Sequence, residues 1–317
     1  FAFAPSTDVY EPVYGGKVPD LFTYYNTRQP TSLLGVYAQD HMKIGPRVVG
    51  TLSGRYDWTE MTTDDRISGT KTDQDPSQFS GRVGFTYLFD FGLAPYASYS
   101  TSFLPTAGVN FYGQPYDPTD GKQIEAGFKF QPKGSNSFLT GSLFEITQTN
   151  VNVPDPENPL NTLQQGEVRS RGFEVEGVGN LSNGLSFHAS YSWLDQEVTE
   201  TTDPNLLGKR PPLAPEQLFG AAAEYNVSSG PLAGLGVGAG VRFVGTRAGD
   251  AANTIEIPDY TLFDAFARYV WKQTEFQLSA TNAFDKTYVA VCTSASYCNY
   301  GNAMKLIGTV RYRWQGW

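Results

Sequence analysis

The stretch "MKLIGTVRYRW", residues 304–314, alternates between two kinds of side chain. One set is mainly apolar and consists of Met304, Leu306, Gly308, Val310, Tyr312 and Trp314. The other is mainly polar and consists of Lys305, Ile307, Thr309, Arg311 and Arg313. Because successive side chains of a β-strand point to opposite faces, this period of two predicts a strand with one apolar and one polar face.

The same alternation recurs along the whole chain, for example in "RVVGTLSGRYDW" (47–58) and "LSFHASYSW" (185–193). It predicts about thirteen strands, near 31–43, 47–59, 78–89, 94–104, 122–131, 137–149, 165–179, 185–197, 215–226, 234–245, 259–270, 274–284 and 303–314. Helical periodicity is nearly absent. The sequence therefore predicts an all-β fold.

The segments between these strands alternate in length. The short ones hold turn residues, as at 44–46, 132–136, 181–184 and 272–274. The long ones are polar and rich in Pro, Asp, Asn and Tyr, at 60–77, 105–121, 150–164, 198–214, 246–258 and 285–302. This pattern predicts an antiparallel meander with short turns at one end and long loops at the other.

The composition limits the class of protein. Of 317 residues, 40% are hydrophobic, 14% aromatic and only 17% charged, and no run of eighteen apolar residues is present, which excludes a transmembrane helix. The net charge of -9 argues against a nucleic-acid partner, since phosphate binding requires basic patches. The first residues carry no initiator Met, basic leader or apolar signal core, so we expect a mature chain or a fragment.

Alternation of this kind fits either a soluble sandwich or a membrane barrel. Aromatic side chains gather near strand ends in the pairs Tyr56 and Trp58, Tyr191 and Trp193, and Tyr312 and Trp314. Aromatic girdles at the two interfaces are typical of outer-membrane barrels. This favours a transmembrane antiparallel β-barrel whose apolar face meets lipid and whose polar face lines a wet lumen.

Orientation follows from the number of strands. If the last strand ends in the periplasm, the long loops are extracellular, and residues 1–30 form the end of an extracellular loop. The only two cysteines, in "CTSASYC" (292–298), then lie in the last extracellular loop. They could be a metal pair, a redox motif or a disulfide. The absence of a nearby His or a second Cys pair favours the disulfide, in an oxidising compartment.

Several stretches of the sequence match one protein family and follow each other in the same order as in that family. They are "LLGVYAQDHMKIG", "SGRYDW", "YASYSTSFLP", "GKQIEAGFKFQP", "GEVRSRGFEVEG", "GKRPPLAPE", "IPDYTLFDAFARY", "ATNAFDKTYVAVC" through "CNYG", and "VRYRW". Together they resemble TonB-dependent siderophore receptors, most closely the ferrichrome and hydroxamate type, along nearly the whole chain.

That resemblance implies a twenty-two-stranded barrel with an N-terminal plug, driven by the TonB–ExbB–ExbD complex of the inner membrane. The thirteen segments would be the last thirteen strands, so residues 1–317 are expected to be the C-terminal portion of one barrel domain, without the plug and the TonB box. Physical chemistry agrees, because an open sheet in hydrocarbon leaves two edges of unpaired backbone groups, each costing several kcal/mol.

Two groups of extracellular aromatic residues are candidate ligand contacts. A Cys292–Cys298 disulfide resembles one found in the last extracellular loop of ferrichrome-type receptors, and it would hold Tyr297 and Tyr300 over the mouth of the lumen. Phe111, Tyr112 and Tyr116 belong to another long loop. Aromatic walls suit a hydroxamate-iron complex, which is uncharged or weakly charged. The alternative is that these side chains only pack within their own loops.

Arg169 and Arg171 lie at the outer end of their predicted strand. They share a face with Phe173 and Val175. On the lipid side of the rim they would suit lipopolysaccharide phosphates. The alternative is pairing with neighbouring Glu or Asp. At the end of the chain, Trp314 lies where the family has its final aromatic, which the outer-membrane assembly machinery reads, although Trp317 could serve instead.

Enzyme chemistry has little support. His41 and His188 are far apart, no G-x-S-x-G motif occurs, and "GVGAG" (236–240) lies on a strand with no helix after it. We therefore expect no enzyme, no resident cofactor or metal, and iron only within a bound ferric siderophore. The function expected is TonB-dependent siderophore uptake across the outer membrane. Uptake of another nutrient such as cobalamin, a passive porin, and an adhesion protein are the alternatives.

Overall fold

The computed structural model describes residues 11, 23, 26–110, 113–154, 162–164, 166–294 and 297–314. Its regular structure is β-sheet, and this part of the chain has no helix of the length and apolarity that a membrane span requires. In chain order the strands are β1 (Thr27–Arg28), β2 (Thr31–Ile44), β3 (Val48–Asp65), β4 (Thr70–Gln74), β5 (Ser77–Tyr87), β6 (Leu93–Leu104), β7 (Thr119–Phe130), β8 (Phe138–Thr149), β9 (Asn152–Pro154), β10 (Thr162–Gln164), β11 (Glu167–Asn180), β12 (Leu185–Glu200), β13 (Gln217–Asn226), β14 (Leu235–Val244), β15 (Arg247–Ala248), β16 (Glu256–Ile257), β17 (Tyr260–Trp271), β18 (Thr274–Thr281), β19 (Val289–Ser294), β20 (Tyr297–Tyr300) and β21 (Lys305–Tyr312).

One antiparallel sheet contains most of these strands. Fifteen strands belong to it in the described part of the chain, and without the short β1 and β4 thirteen long strands remain. Each long strand pairs with the next long strand along the chain, from β2 to β21. The prediction of thirteen strands in an antiparallel meander is confirmed, strand by strand.

The cross-strand register keeps the apolar side chains on one face. Phe187 of β12 is aligned with Ala223 of β13, then with Ala239 of β14, Ala265 of β17 and, one strand further, Ala280 of β18. The row ends at Leu306 of β21. Because the side-chain period is two, a slip of one residue at any pair would send a strand's apolar set to the other face.

The apolar face is not the core of a sandwich. Phe85, Phe187 and Val310 on this face have 58%, 45% and 68% of their surface exposed, and Val48 is only half-buried. In a soluble sandwich these positions would be packed in the dry layer between two sheets. The exposed apolar face contradicts the sandwich and fits a surface that meets lipid.

The opposite, polar face is held together by charge pairs. Arg242 donates two hydrogen bonds to the carboxylate of Asp264, at 2.6 and 2.9 Å. Arg55 Nε donates to Asp57 at 2.8–2.9 Å, and both side chains lie so close to Gly35 that a Cβ there would overlap them. Polar groups therefore find partners on this face.

The apolar face has a defined outer limit. On β3 it ends at Trp58, whose ring lies 4.7 Å from that of Tyr56, and the residues that follow on the same face are Glu60, Thr62 and Asp64. A ring followed by polar groups is the order expected where hydrocarbon gives way to headgroups. At the other end of the sheet, the Tyr312 and Trp314 rings lie 4.8 Å apart.

The sheet has two unlike ends, as the loop lengths predict. Short turns at 45–47, 131–137, 181–184 and 272–273 form one end, and the long connections form the other. Among the described residues, five strand pairs within the predicted loops were not anticipated. They are the pairing of the end of β3 with β4 and with β1, and the small hairpins β9–β10, β15–β16 and β19–β20.

The outermost long strands, β2 and β21, each pair on one side only within the described residues. Their other edges carry backbone N–H and C=O groups that no strand of this part of the chain satisfies. The tip of the β3–β4 hairpin is also paired with β1, whose Thr27 is aligned with Asp65.

Candidate functional site

The last long loop carries the predicted disulfide. Cys292 of β19 and Cys298 of β20 are bonded and face each other across the hairpin, with their Cα atoms 4.0 Å apart. Tyr297 and Tyr300 belong to β20 and are both exposed, at 62% and 73%. The hairpin therefore presents two phenol rings to solvent from a covalently closed loop.

A buried arginine supports this hairpin. Arg247 of β15 donates from Nη2 to the Val289 carbonyl at 3.2 Å, and its guanidinium lies 5.2 Å from the centroid of the Tyr260 ring. The Tyr260 ring is in turn 4.2 Å from that of Tyr288. Gly301 lies so close to the Tyr288 ring that a Cβ would overlap it. Arg247 therefore joins the first arm of the disulfide loop to the neighbouring loop 245–259, and the second arm packs at Gly301 against the first.

The base of the same loop is closed by Asn282. This side chain is buried; its Nδ2 donates to the carbonyls of Lys286 and Asn302 at 2.9 and 3.1 Å, and its Oδ1 accepts from Lys286 N at 2.9 Å. Asp285 Oδ1 accepts from Met304 N at 2.7 Å. Both ends of the loop are thus joined at the end of β18.

Two further loops are joined by side-chain hydrogen bonds. Asn253 Oδ1 accepts from Arg210 N at 2.8 Å, and its Nδ2 donates to the Arg210 carbonyl at 2.9 Å. Asp250 accepts from Ile255 N and Thr254 Oγ1, both at 2.8 Å. Burial opposes ionisation of Asp250, but the hydrogen bonds stabilise the charged form more, so the pKa of this carboxyl is lowered.

Tyr116 lies in a second loop group. Its ring packs against Gly108, its N donates to the Gly108 carbonyl at 3.1 Å, and it is half-buried. Gln74 of the β3–β4 hairpin holds the loop from the polar face of the sheet, donating from Nε2 to the Tyr116 carbonyl at 2.9 Å and accepting from Gly108 N at 3.3 Å. Phe111 and Tyr112, also predicted contacts, lie outside the described residues.

Arg169 and Arg171 share the apolar face with Phe173, as the sequence predicts, and lie near the outer end of β11. Both are paired. Arg169 Nη2 donates to Glu197 Oε2 at 2.7 Å, and Arg171 Nε donates to Glu145 Oε2 at 2.5 Å. Both arginines therefore pair with neighbouring glutamates, as the alternative expectation had it. Their contact with lipopolysaccharide stays a prediction.

The polar face contains a shallow hollow of about 450 Å³ across β12, β13, β14, β17 and β18. His188 and Arg242 line it together with Gly220, Ala222 and Gly240, three small residues that leave the space open. His188 is a wall residue here. No group of three or more His, Cys, Asp and Glu residues that could hold a metal occurs in the part of the chain that the structure describes.

The sequence did not single out the residues that position these loops, namely Arg247, Asn282, Asn253 and Gln74. Asn282 does fall within "ATNAFDKTYVAVC", so the family resemblance pointed to its surroundings. Gln74 carries no sequence signal, since its partners are the carbonyl and amide groups of a loop more than thirty residues away.

The family model described as "TonB dependent receptor-like, beta-barrel" matches residues 2–283. The chain is 36% identical over 315 residues to the "Ferrioxamine B receptor" of Salmonella typhimurium, covering 97% of this chain and 44% of that protein. It is 35% identical over 319 residues to the "Ferrichrome outer membrane transporter/phage receptor" of Escherichia coli K12, covering 98% and 42%.

A solved structure gives the same result for the fold. The siderophore receptor PiuA from Acinetobacter baumannii superposes with a TM-score of 0.79 at 25% identity, covering 90% of this chain and 44% of that one. The chain spans less than half the length of the relatives it matches.

Proposed function

The chain belongs to the TonB-dependent receptor-like β-barrel family, and from that premise we propose that it is the C-terminal barrel portion of an outer-membrane receptor that takes up a ferric siderophore of hydroxamate type. The single observation that carries the proposal is the match of nearly the whole chain to a ferrioxamine B receptor and a ferrichrome transporter. The exposed apolar face of the sheet supports the membrane location.

The cargo site draws on the exposed phenols of the disulfide loop. Tyr300 and Tyr297 contact the chelate, and Tyr116 with its neighbours Phe111 and Tyr112 contributes from the other loop group. A rigid aromatic surface desolvates a weakly charged chelate at little entropic cost, because each ring has few rotatable bonds. The disulfide and Arg247 hold the two phenols in place before cargo arrives, which lowers the ordering cost of binding.

In the proposed receptor, transport also uses the plug that the family resemblance implies. Loops and plug capture the ferric siderophore, and the TonB–ExbB–ExbD complex acts on the plug to open a route along the polar face of the barrel wall. The chain's own contribution is the outer mouth and thirteen strands of that wall. The outer-membrane assembly machinery inserts the barrel, and lipopolysaccharide surrounds its outer rim, where Arg169 and Arg171 are candidate contacts.

Growth of an iron-starved deletion strain, with and without the full-length gene, tests the function. Purified siderophores of hydroxamate, catecholate and carboxylate type are each supplied as sole iron source. We expect rescue by one or more hydroxamates and loss of that rescue when TonB is deleted. Rescue that survives TonB deletion would indicate a passive porin. No rescue by any siderophore, together with TonB-dependent uptake of labelled cobalamin by the same strain, would indicate another nutrient, and neither rescue nor uptake would favour an adhesion protein.

Binding by purified full-length receptor tests the site. Tyr300→Ala should raise the Kd for the hydroxamate chelate about threefold to tenfold, the effect of losing one aromatic contact. Tyr225→Ala is the matched control, because Tyr225 is an exposed tyrosine at the opposite, short-turn end of β13. An unchanged Kd for Tyr300→Ala, or an equal change in both variants, removes Tyr300 from the site.

A further inference from the structure

The first residue after β18 connects the wall of the sheet to the disulfide loop. Asn282 follows Thr281, the last residue of β18, and precedes the loop that carries Cys292 and Cys298. Its backbone N–H donates to Asp264 Oδ1, on the polar face of β17, at 2.9 Å. Its side chain joins the two ends of the loop. Asn282 therefore contacts the wall through its main chain and the loop through its side chain.

Asp264 belongs to an ion pair of the wall. Its carboxylate accepts two hydrogen bonds from Arg242 of β14, at 2.6 and 2.9 Å. The bond from Asn282 N is the third, and it shares Oδ1 with one of the guanidinium donors. The orientation of the carboxylate, and with it the acceptor offered to Asn282 N, is thus set by Arg242.

The bond to Asp264 provides an acceptor beyond the regular pairing of the two strands. The ladder between β17 and β18 ends at Ala265 and Ala280. Asn282 has a left-handed backbone with a φ of 49°, a conformation that Asn adopts more readily than most residues. Because a buried N–H without an acceptor is costly, the place where the chain leaves β18 depends on Asp264.

The side chain of Asn282 transmits that position to the loop. Asn282 is only 3% exposed, so water does not compete for its amide. Its Nδ2 donates to the carbonyls of Lys286 and Asn302, and its Oδ1 accepts from Lys286 N. Lys286 lies near the start of the loop and Asn302 near its end. A rotation of the amide would leave buried donors unpaired, so both ends follow Asn282.

The loop between these two ends is a single unit. Its strands β19 and β20 pair with each other, with Val289 aligned with Tyr300, and the disulfide closes the hairpin covalently. Tyr297 and Tyr300 lie on β20. A change of angle at the base of the loop therefore moves both phenols together.

We propose that Asp264 is a positioning residue for the cargo site, and that it sets the orientation of Tyr297 and Tyr300 through Asn282. This inference rests on the proposed function, because it takes the two phenols as cargo contacts. Asp264 itself lies on the wall and acts without touching cargo. It lowers the ordering cost of binding by holding the loop in one orientation before cargo arrives.

Two substitutions at one position separate the hydrogen bond from the charge. Asp264→Ala and Asp264→Asn both remove the negative charge, but only the asparagine side chain keeps an oxygen that accepts from Asn282 N. In the purified full-length receptor, Asp264→Ala should raise the Kd for a ferric hydroxamate chelate about threefold to tenfold, the effect of one hydrogen bond. Asp264→Asn should bind nearly as wild type does. The bond from Ala283 N to the Phe263 carbonyl, at 2.7 Å, keeps the turn on β17 in both variants.

Glu224 provides the matched control. It pairs with Arg268 on the same polar face, at the short-turn end of β13. Glu224→Ala and Glu224→Gln repeat the loss of a wall carboxylate far from the mouth. We expect these two variants to bind the chelate with the same Kd.

A double variant tests whether the effect passes through Asn282. Asn282→Gly keeps the backbone N–H and the left-handed conformation but removes the side-chain bonds to the loop. It should raise the Kd by itself, and Asp264→Ala should then add no further increase, because the connection is already broken. An additive increase would mean that Asp264 affects cargo by another route.

Amide hydrogen exchange of β19 and β20, measured without cargo, gives a readout that is independent of binding. Exchange should be faster in Asp264→Ala than in Asp264→Asn. Equal Kd values and equal exchange in these two variants, or the same difference between the two Glu224 variants, would overturn the proposal. A wild-type receptor that binds no hydroxamate would overturn the proposed function instead, and exchange would still decide whether Asp264 positions the loop.

Discussion

Ala221 and Ala222 of β13 are neighbours of the same residue type on opposite faces of the sheet, and replacing each by arginine tests which face meets lipid. Ala221 lies between Ala189 and Val241 on the apolar face, and Ala222 lies between His188 and Gly240 on the polar face. The two substitutions add the same side chain at the same depth. Any difference in stability therefore reports the environment of the face.

The expected magnitude follows from the position of Ala221. It is the fifth residue of a ten-residue strand, which at about 3.4 Å per residue and a tilt near 40° places it about 10 Å below the outer end, close to the middle of the apolar band. An arginine on the lipid face at that depth costs about 2–4 kcal/mol. The hollow beside Ala222 lies on the polar face and has room for the side chain, so Ala222→Arg should cost less than about 1 kcal/mol.

The assay is urea-induced unfolding of the full-length receptor in phospholipid vesicles, with the folded fraction read as the heat-modifiable band on unboiled gels. We expect the midpoint to fall clearly for Ala221→Arg and little for Ala222→Arg. Equal losses in the two variants, or a larger loss for Ala222→Arg, would refute the assignment of the apolar face to lipid.

Other consequences can be checked in the same receptor. Replacing Cys292 and Cys298 by Ala removes a seven-residue covalent loop worth about 2 kcal/mol in the chain-entropy model. Limited proteolysis should therefore cut the loop faster in this double variant than in the oxidised wild type. Equal cleavage rates would show that packing alone holds the hairpin. The pKa of Asp250 is lowered in the folded protein, so its charged carboxylate stabilises the loop above the unfolded-state pKa of about 4, and this stabilisation is lost as the pH falls below that value. Hydrogen exchange of loop 245–259 should rise in that pH range for wild type but not for Asp250→Asn. Parallel exchange profiles in the two proteins would contradict this. Arg169→Gln with Arg171→Gln should reduce co-purified lipopolysaccharide, measured by phosphate analysis, whereas unchanged retention means that the two arginines serve only their ion pairs.

The sequence predicted the long strands well because the membrane imposes a strong contrast on them. Each strand between lipid and lumen alternates apolar and polar residues, and that contrast marks both its position and its faces. Above Trp58 the contrast ends, and Thr62 and Asp64 on one face are as polar as Thr63 on the other. The extension of β3 to Asp65 therefore has no period-two signal, and the sequence assigned it to a loop.

The site was predictable only where the sequence supplied a chemical constraint. Two cysteines in one loop gave the disulfide, and the family resemblance placed it at the outer mouth. The support from Arg247 depends on a carbonyl at Val289 and a ring at Tyr260, contacts that no local pattern encodes. The same holds for Gln74, whose amide fixes the loop of Tyr116 through backbone groups that every residue type possesses.

Spin-label accessibility at two adjacent positions of β18 shows directly which face of the sheet meets lipid. Nitroxides are placed singly at Leu278, on the apolar face, and at Gln277, on the polar face, in the full-length receptor in vesicles, and their power saturation is measured with oxygen and with a water-soluble nickel chelate. We expect oxygen to relax the Leu278 label more strongly and the nickel chelate to relax the Gln277 label more strongly. A Leu278 label that both reagents fail to reach would place the apolar face in a dry protein interior and contradict its contact with lipid.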